Sequence, residues 1–176
     1  MTTAANKEGI RRYIEEVVNP GDLARVEHFV SADYVEVLDG KRHPVGSQGA
    51  KDHVRGVRET YPDLRVTIEA QIAEGDWVAS AIVARGTHRG AWLGMQPTGK
   101  ALTFTGVNLD KVVAGKIVEH GGAANLLVWC IRQMGIYWRA SFGAGKAPRT
   151  QPDWEIWRGS ATQPAPKGAV HKAPDF

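Results

Sequence analysis

The apolar residues of this chain repeat with two different periods, and the change between them restricts the fold more than any other feature. Early in the chain the apolar positions follow the i, i+3, i+4, i+7 spacing of one helix face: Ile10, Tyr13, Ile14, Val17 and Val18. Over residues 64–72 apolar and polar side chains alternate, as in a strand with one buried face. Helices followed by consecutive strands predict an α+β domain with one sheet.

The same patterns predict the order of the elements. Two helices lie within residues 7–30, separated by an Asn-Pro-Gly break, and Ser47 is placed to cap a third helix that ends before Pro62. The strands and the last helix, in order, are predicted at 34–38, 64–72, 77–85, 101–113 and 116–122, with the helix at 125–134.

Length and composition exclude several classes of protein. The 176 residues, 43% apolar and 23% charged, suit one globular domain with an appendage. No apolar stretch reaches the ~18 residues of a membrane-spanning helix, and no secretory signal is visible, so we expect no membrane contact. The single cysteine, Cys130, makes no intrachain disulfide and fits a cytoplasmic location. Residues 1–135 carry 16 basic and 16 acidic side chains, and the small excess beyond them is too sparse to predict nucleic-acid binding.

Composition changes near Gly135, which predicts a boundary between a domain at 1–135 and an arm at 136–176. The arm holds five of the nine prolines and three of the six tryptophans, Trp138, Trp154 and Trp157. A solvated linker rarely carries so many large aromatic side chains. We therefore expect one of these tryptophans to pack on the domain or on a partner subunit.

Two stretches of sequence resemble a known family. The segment 86–100 reads GTHRGAWLGMQPTGK and the segment 115–120 reads GKIVEH. Over about residues 5–135 the chain resembles the SnoaL-like polyketide cyclases, a family within the group shaped like nuclear transport factor 2 and ketosteroid isomerase. The resemblance implies a cone-shaped, curved antiparallel sheet covered by three N-terminal helices, to which the arm at 136–176 adds a C-terminal extension. It also implies a homodimer and no cofactor or metal.

For chemistry, the resemblance implies a cyclase or isomerase that acts by enolisation on a polyketide-like or terpenoid-like carbonyl compound. In such an enzyme a carboxylate removes a proton next to a carbonyl, and the enolate attacks a second carbonyl in an intramolecular aldol reaction. The family places that aspartate at the position of Gly122. Glycine cannot accept a proton, so another residue has to replace the acid.

His120 is the first candidate for a replacement base. Period two places it on the same face of the last strand as Gly122, with Glu119 on the other face. An imidazole titrates near neutrality, as a general base requires. The alternative is a structural role, in which His120 packs as a hydrogen-bonding group against a helix.

Glu36 and His88 complete the predicted catalytic set. Glu36 occupies a position where a related cyclase carries histidine, and an apolar cone would raise the pKa of its carboxyl, unless it faces solvent. His88 belongs to the recognised 86–100 segment. It is predicted either to bind a substrate oxygen or to fix the loop at 90–99.

Four further residues are predicted to bind substrate: Asn108, Trp92, Tyr13 and Asp110. An amide such as Asn108 can donate to an oxyanion but cannot act as a base. Asp110 is the only acid of its strand and could equally be a protective charge on an edge strand. Trp92 and Tyr13 could equally be ordinary core aromatics.

Two other functions remain open at this point. The loss of the acid at Gly122 fits a non-catalytic protein that binds a small hydrophobic ligand in the same cone. An epoxide hydrolase or dehydratase would need two aspartates beside an arginine, and the sequence offers only Asp110 with Arg85. The six histidines show no metal-site spacing, and no nucleotide-binding glycine loop is present.

Overall fold

The computed structural model describes residues 2–38, 40–91 and 96–124. Its helices are α1 (Thr3–Tyr13), α2 (Val26–Phe29) and α3 (Gly46–Thr60), with a π-helical turn, Ile14–Val18, after α1 and a 3-10 turn, Leu23–Arg25, before α2. Its strands are β1 (Val30–Leu38), β2 (Lys41–Pro44), β3 (Arg65–Glu74), β4 (Trp77–Thr87), β5 (Ala101–Val113) and β6 (Lys116–Ala124). Trp92, the predicted helix at 125–134 and the predicted arm at 136–176, with its tryptophans, lie outside the described residues.

The strands form one six-stranded sheet in the order β2-β1-β6-β5-β4-β3. The α+β class and the three helices on a curved sheet are confirmed, and the sheet, predicted to be antiparallel, contains one parallel pair of strands. Strand β1 pairs with β6 in parallel, whereas the other pairs are antiparallel. The meander β3–β4–β5–β6 reverses direction at each turn, and its last strand reaches β1 running the same way.

Local sequence explains where the elements differ from prediction. Helix α3 begins at Gly46 and has no side-chain cap, so the predicted cap by Ser47 is wrong. The sequence did not predict strand β2. All four of its residues are exposed, so they show no alternation of apolar and polar side chains. Among the described elements, no helix is long and apolar enough to cross a lipid bilayer.

The core lies between the helices and the inner face of the sheet. Along β5 the odd-numbered residues are mostly exposed, and the even-numbered ones point inward, which gives the sheet one dry face. The buried apolar residues are Ile10, Ile14, Val17, Val26, Phe29, Val30, Tyr34, Ala50, Val54, Tyr61, Leu64, Val66, Val78, Ala84, Val112 and Ile117. Burying each side chain of Val, Leu or Ile size contributes about 1.5–3 kcal/mol.

Two polar side chains fasten the helices to the edge strand β3. The Asn19 amide donates from Nδ2 to the Val66 carbonyl at 3.1 Å and accepts from the Val66 N–H at 2.8 Å. Arg58 donates to the carbonyls of Asn19, Leu64 and Pro62 at 2.7, 2.9 and 2.6 Å. Asn19 thus takes the place of a neighbouring strand at Val66 and blocks strand pairing at that position.

We expect Asn19→Ala to lower the free energy of unfolding by about 1–3 kcal/mol, because it leaves a partly buried N–H and C=O of Val66 without partners. Urea denaturation followed by circular dichroism measures the change. Gln48→Ala, which removes only an exposed hydrogen bond to Asp52, is the control and should stay within about 0.5 kcal/mol of the wild type. Equal effects of the two substitutions would contradict the role given to Asn19.

Candidate active site

Three neighbouring strands place Asp110, His120 and Glu36 side by side. Asp110 of β5 is directly opposite His120 of β6, and His120 is directly opposite Glu36 of β1. Residues opposite one another in a sheet project from the same face, so these three side chains all point to the inner face. His120 therefore lies between two carboxylates, each on a different neighbouring strand.

His120 and Asp110 form a hydrogen-bonded pair, with 2.7 Å between His120 Nδ1 and Asp110 Oδ1. An ionised carboxylate only accepts hydrogen bonds, so Nδ1 carries the proton in this pair. In the neutral imidazole, Nε2 is then the proton acceptor. No described residue hydrogen-bonds that nitrogen.

His53 of α3 completes the group. Its Nδ1 hydrogen-bonds Glu36 Oε1, and its ring meets that of His120 edge-on, with 5.8 Å between the ring centroids and 75° between the planes. We call these four side chains, Asp110, His120, Glu36 and His53, the polar cluster. It consists of two imidazoles in contact, each held by its own carboxylate.

Exposure increases across the polar cluster. The exposed fractions of the side chains are 5% for Asp110, 13% for Glu36, 25% for His120 and 42% for His53. The carboxylates therefore lie deepest, where an unpaired charge would be most costly, and both are paired with histidine. The imidazoles lie between them and the more open side.

The carboxylates raise the pKa of His120 above its usual value of 6.5. Burial acts in the opposite direction because it disfavours the imidazolium ion. The hydrogen bond to Asp110, the charge of Asp110 and the charge of Glu36 outweigh it. Once deprotonated, His120 is for this reason a stronger base than an imidazole in water.

Glu36 lies inside the fold, and the pKa of its carboxyl is lowered, so the predicted rise is wrong. Burial does push this pKa upward, but the hydrogen bond and charge of His53, with the charges of His120 and His43, outweigh burial. Glu36 is therefore an ionised acceptor for His53. A carboxyl that holds its proton so weakly is poorly matched to the role of base.

Two tyrosines lie close enough to be affected by the acids of the cluster. Burial raises the pKa of Tyr13 and of Tyr34, and the negative charges of Asp110 and Glu36 add to the rise. Both hydroxyls consequently keep their protons and can donate hydrogen bonds. Tyr13 also packs on Phe29, with 5.9 Å between the ring centroids.

Asn108 and Gly122 lie directly opposite each other, one step along the same face from Asp110 and His120. A Cβ atom at Gly122 would lie 2.5 Å from the Val107 carbonyl oxygen and 3.1 Å from Asn108 Cα. Such contacts are far too short, so β5 and β6 approach here more closely than a side chain would allow. The position of the family's aspartate is thus closed to any side chain on this backbone.

His88 lies apart from the polar cluster and is completely buried. The ring Nδ1 of His88 is 3.2 Å from Thr98 Oγ1. The backbone N–H of His88 donates to the Lys100 carbonyl at 3.0 Å, and the His88 carbonyl accepts from the Gly99 N–H at 2.9 Å. Its ring lies 5.7 Å from that of Tyr61. These contacts hold the end of the 90–99 loop, one of the two roles predicted for His88.

Two alternatives drawn from the sequence do not fit the sheet. Asp110 is 3% exposed on the interior strand β5, so the alternative of an edge-strand charge is wrong. Arg85 is exposed near the far end of the β4–β5 ladder, opposite Thr103, and on the face away from Asp110. The described residues therefore do not bring Asp110 and Arg85 together as the epoxide hydrolase alternative requires.

Glu119 projects from the face opposite to His120, as period two predicts. It is nevertheless only 6% exposed, and it forms an ion pair with Arg42 of β2 at 2.6 Å.

Within the described part of the chain, no group of three or more His, Cys, Asp or Glu residues could hold a metal ion.

The sequence reasoning missed His53, although a signal for it was present. Positions 50, 53, 54 and 57 follow the i, i+3, i+4, i+7 spacing of one helix face. Three of these positions are apolar (Ala50, Val54 and Val57), and His53 is the one polar residue of the four. A titratable side chain on the apolar stripe of an amphipathic helix indicates a position that faces the interior.

We expect Asp110→Asn to lower the pKa of His120, since it removes the largest influence that raises it. Proton NMR titration of the imidazole Cε1–H measures the pKa of His120 in the wild type and in Asp110→Asn. The ion pair stabilises the fold below about pH 6.5, and this contribution disappears as pH rises through the raised pKa of His120. An unchanged His120 titration in Asp110→Asn would contradict the pairing.

Comparisons with known proteins identify the family and the fold. A family model described as SnoaL-like polyketide cyclase matches residues 8–129. Nogalonic acid methyl ester cyclase of Streptomyces nogalater is 29% identical over 143 residues, which cover 80% of this chain and 96% of that protein. Aklanonic acid methyl ester cyclase AcmA of Streptomyces galilaeus is 29% identical over 115 residues, 63% of this chain and 78% of that protein.

Among solved structures, AclR of Streptomyces galilaeus, described as a proposed hydroxylase, has a similar fold. Its TM-score is 0.67 at 27% identity, and the match covers 77% of this chain and 99% of AclR. The family model, the related cyclases and the shared fold lead to one conclusion: the chain belongs to the SnoaL-like polyketide cyclase family.

Proposed function

We propose that this protein is a cofactor-independent cyclase that closes a ring in a polyketide-like carbonyl compound by enolisation and an intramolecular aldol reaction. The single observation on which the proposal rests is the partly buried pair of His120 and Asp110, with 2.7 Å between Nδ1 and Oδ1. This pair supplies an oriented base. His120 lies two residues before Gly122 on the same face of β6, and Gly122 stands where the resemblance implies an aspartate.

The reaction balances without a further reactant. His120 Nε2 takes a proton from the carbon next to one carbonyl, and the C–H electron pair becomes the enolate. The enolate carbon attacks a second carbonyl carbon of the same molecule, a C–C bond forms, and the oxygen of that carbonyl receives the displaced electron pair. A proton returned to this oxygen completes the product, which is an isomer of the substrate.

Neighbouring hydrogen-bond donors would stabilise the enolate oxygen and the oxygen of the attacked carbonyl, the two atoms that become negatively charged. The Asn108 amide lies on the same face as Asp110, and the hydroxyls of Tyr13 and Tyr34 remain protonated near the acids of the cluster. Preorganised donors of this kind stabilise an oxyanion more than water does. Asn108, Tyr13 and Trp92 stay predicted substrate-binding residues.

The related enzymes suggest which substrates to try first. Two relatives are named as cyclases of nogalonic acid methyl ester and aklanonic acid methyl ester. Both compounds are esters, and an ester carbonyl acidifies the neighbouring C–H. We use these two esters as probes for this protein.

We expect His120→Gln to lower the rate of ring closure about 10²–10⁴-fold, the usual contribution of a general base. The assay follows each ester and its product by liquid chromatography and mass spectrometry. Solvent deuterium entering the ester next to its carbonyl reports enolisation separately.

His28→Gln is the matched control, because His28 is an exposed histidine of α2 outside the polar cluster. His28→Gln should keep the wild-type rates and the wild-type melting temperature. Circular dichroism at the assay temperature should show that His120→Gln, which leaves Asp110 without its imidazole partner, is still folded. A protein that binds the esters tightly with neither deuterium uptake nor product would instead be the non-catalytic ligand-binding protein considered above.

A homodimer is part of the same proposal. On the outer face of β5, Val107, Leu109 and Val113 are 48%, 44% and 40% exposed, an apolar strip that a second copy would cover. We expect Leu109→Lys to yield monomers in sedimentation velocity. Gln48→Lys, at an exposed position of α3, should remain dimeric. A monomeric wild type would contradict this part. The cytoplasmic location stays a prediction.

A further inference from the structure

We infer that His53, held by Glu36, is the general acid that protonates the oxygen formed during ring closure. This inference rests on the proposed function, because it assigns the proton that the aldol step returns. His53 would then be a second catalytic residue, and Glu36 would be its positioning residue.

The contacts of His53 fit a proton donor. Its Nδ1 is hydrogen-bonded to Glu36 Oε1, so Nε2 is the ring nitrogen that could donate to a substrate oxygen. No described residue hydrogen-bonds that nitrogen. As an imidazolium ion, His53 forms an ion pair with Glu36 and presents an N–H at Nε2.

The two imidazoles are close enough for both to reach neighbouring atoms of one substrate that lies beside the two rings. Their ring centroids are 5.8 Å apart, and the rings meet edge to face. The carbon that loses its proton and the carbonyl it attacks approach to about 3–3.5 Å in a reactive complex. Each imidazole needs a hydrogen bond of about 3 Å to its own reacting atom, which two neighbouring rings can provide together.

The surroundings of the two histidines differ in the way that the two roles require. His120 lies between Asp110 and Glu36, so two carboxylates strengthen it as a proton acceptor. His53 has one carboxylate partner and is 42% exposed, which lets it take up a new proton from water after each reaction. The more buried imidazole thus removes the proton from carbon, and the more exposed one delivers a proton to oxygen.

The protons balance over the cycle. His120 gains one proton from carbon when the enolate forms, and His53 loses one to the new alkoxide when the ring closes. His120 then releases its proton and His53 regains one through solvent, because both side chains are partly exposed. No oxidant, reductant or metal is consumed.

The experiment separates the two half-reactions in deuterated buffer, with nogalonic acid methyl ester as the probe. Deuterium in recovered ester measures enolisation, and the ring-closed product measures protonation of the oxygen. We expect His53→Gln to keep deuterium uptake within about threefold while ring closure falls about 10²–10⁴-fold. Glu36→Gln should also lower ring closure, but it should reduce deuterium uptake as well, because the charge of Glu36 raises the pKa of His120. His120→Gln should lose both activities.

Each other outcome has a distinct meaning. Wild-type rates of both half-reactions in His53→Gln would overturn this inference and leave the proposed function intact. Loss of deuterium uptake in His53→Gln, or its retention in His120→Gln, would overturn the assignment of roles. A wild type with neither deuterium uptake nor product would overturn the proposed function and this inference with it. Because His53→Gln leaves Glu36 without its imidazole partner, circular dichroism at the assay temperature, with His28→Gln as the control, verifies that the variant is folded.

Discussion

The site depends on how charge is buried beside β6. Two carboxylates, Asp110 and Glu36, lie on the strands at either side of His120, and an unpaired carboxylate at that depth would be strongly destabilising. Each is therefore held by an imidazole. The arrangement requires both the antiparallel pairing of β6 with β5 and its parallel pairing with β1. A slip of one residue in either register would turn one acid to the outer face and leave His120 with a single partner.

The sequence predicts those parts of the fold that depend on local periodicity. The strand at 101–113 and the inward face shared by His120 and Gly122 follow from alternation within a single strand. The parallel pairing of β1 with β6 does not, because it joins segments more than 80 residues apart and neither segment encodes its neighbour. Asp110 was open to interpretation as an edge charge for the same reason, since only the strand order places β5 in the interior of the sheet.

The contact between His53 and Glu36 was beyond prediction for a related reason. The apolar stripe of α3 shows that His53 faces inward, but it does not show which strand the helix crosses. Only packing brings α3 over β1, and only then does His53 reach Glu36. This contact helps to reverse the expected direction of the Glu36 pKa, because the hydrogen bond and charge of His53, together with the charges of His120 and His43, outweigh burial. Burial alone was therefore a poor guide to the chemistry of that carboxyl.

The glycine at position 122 changes what kind of base the fold can use. Strand β5 lies so close that a Cβ at Gly122 would meet the Val107 carbonyl oxygen at 2.5 Å, so a carboxylate there would force the strands apart. A carboxylate base is charged while it waits for substrate, whereas an imidazole base is neutral and becomes charged only on taking the proton. In a water-poor interior the neutral form loses less hydration free energy. The imidazolium then forms between Asp110 and Glu36, where its positive charge is stabilised as the enolate appears.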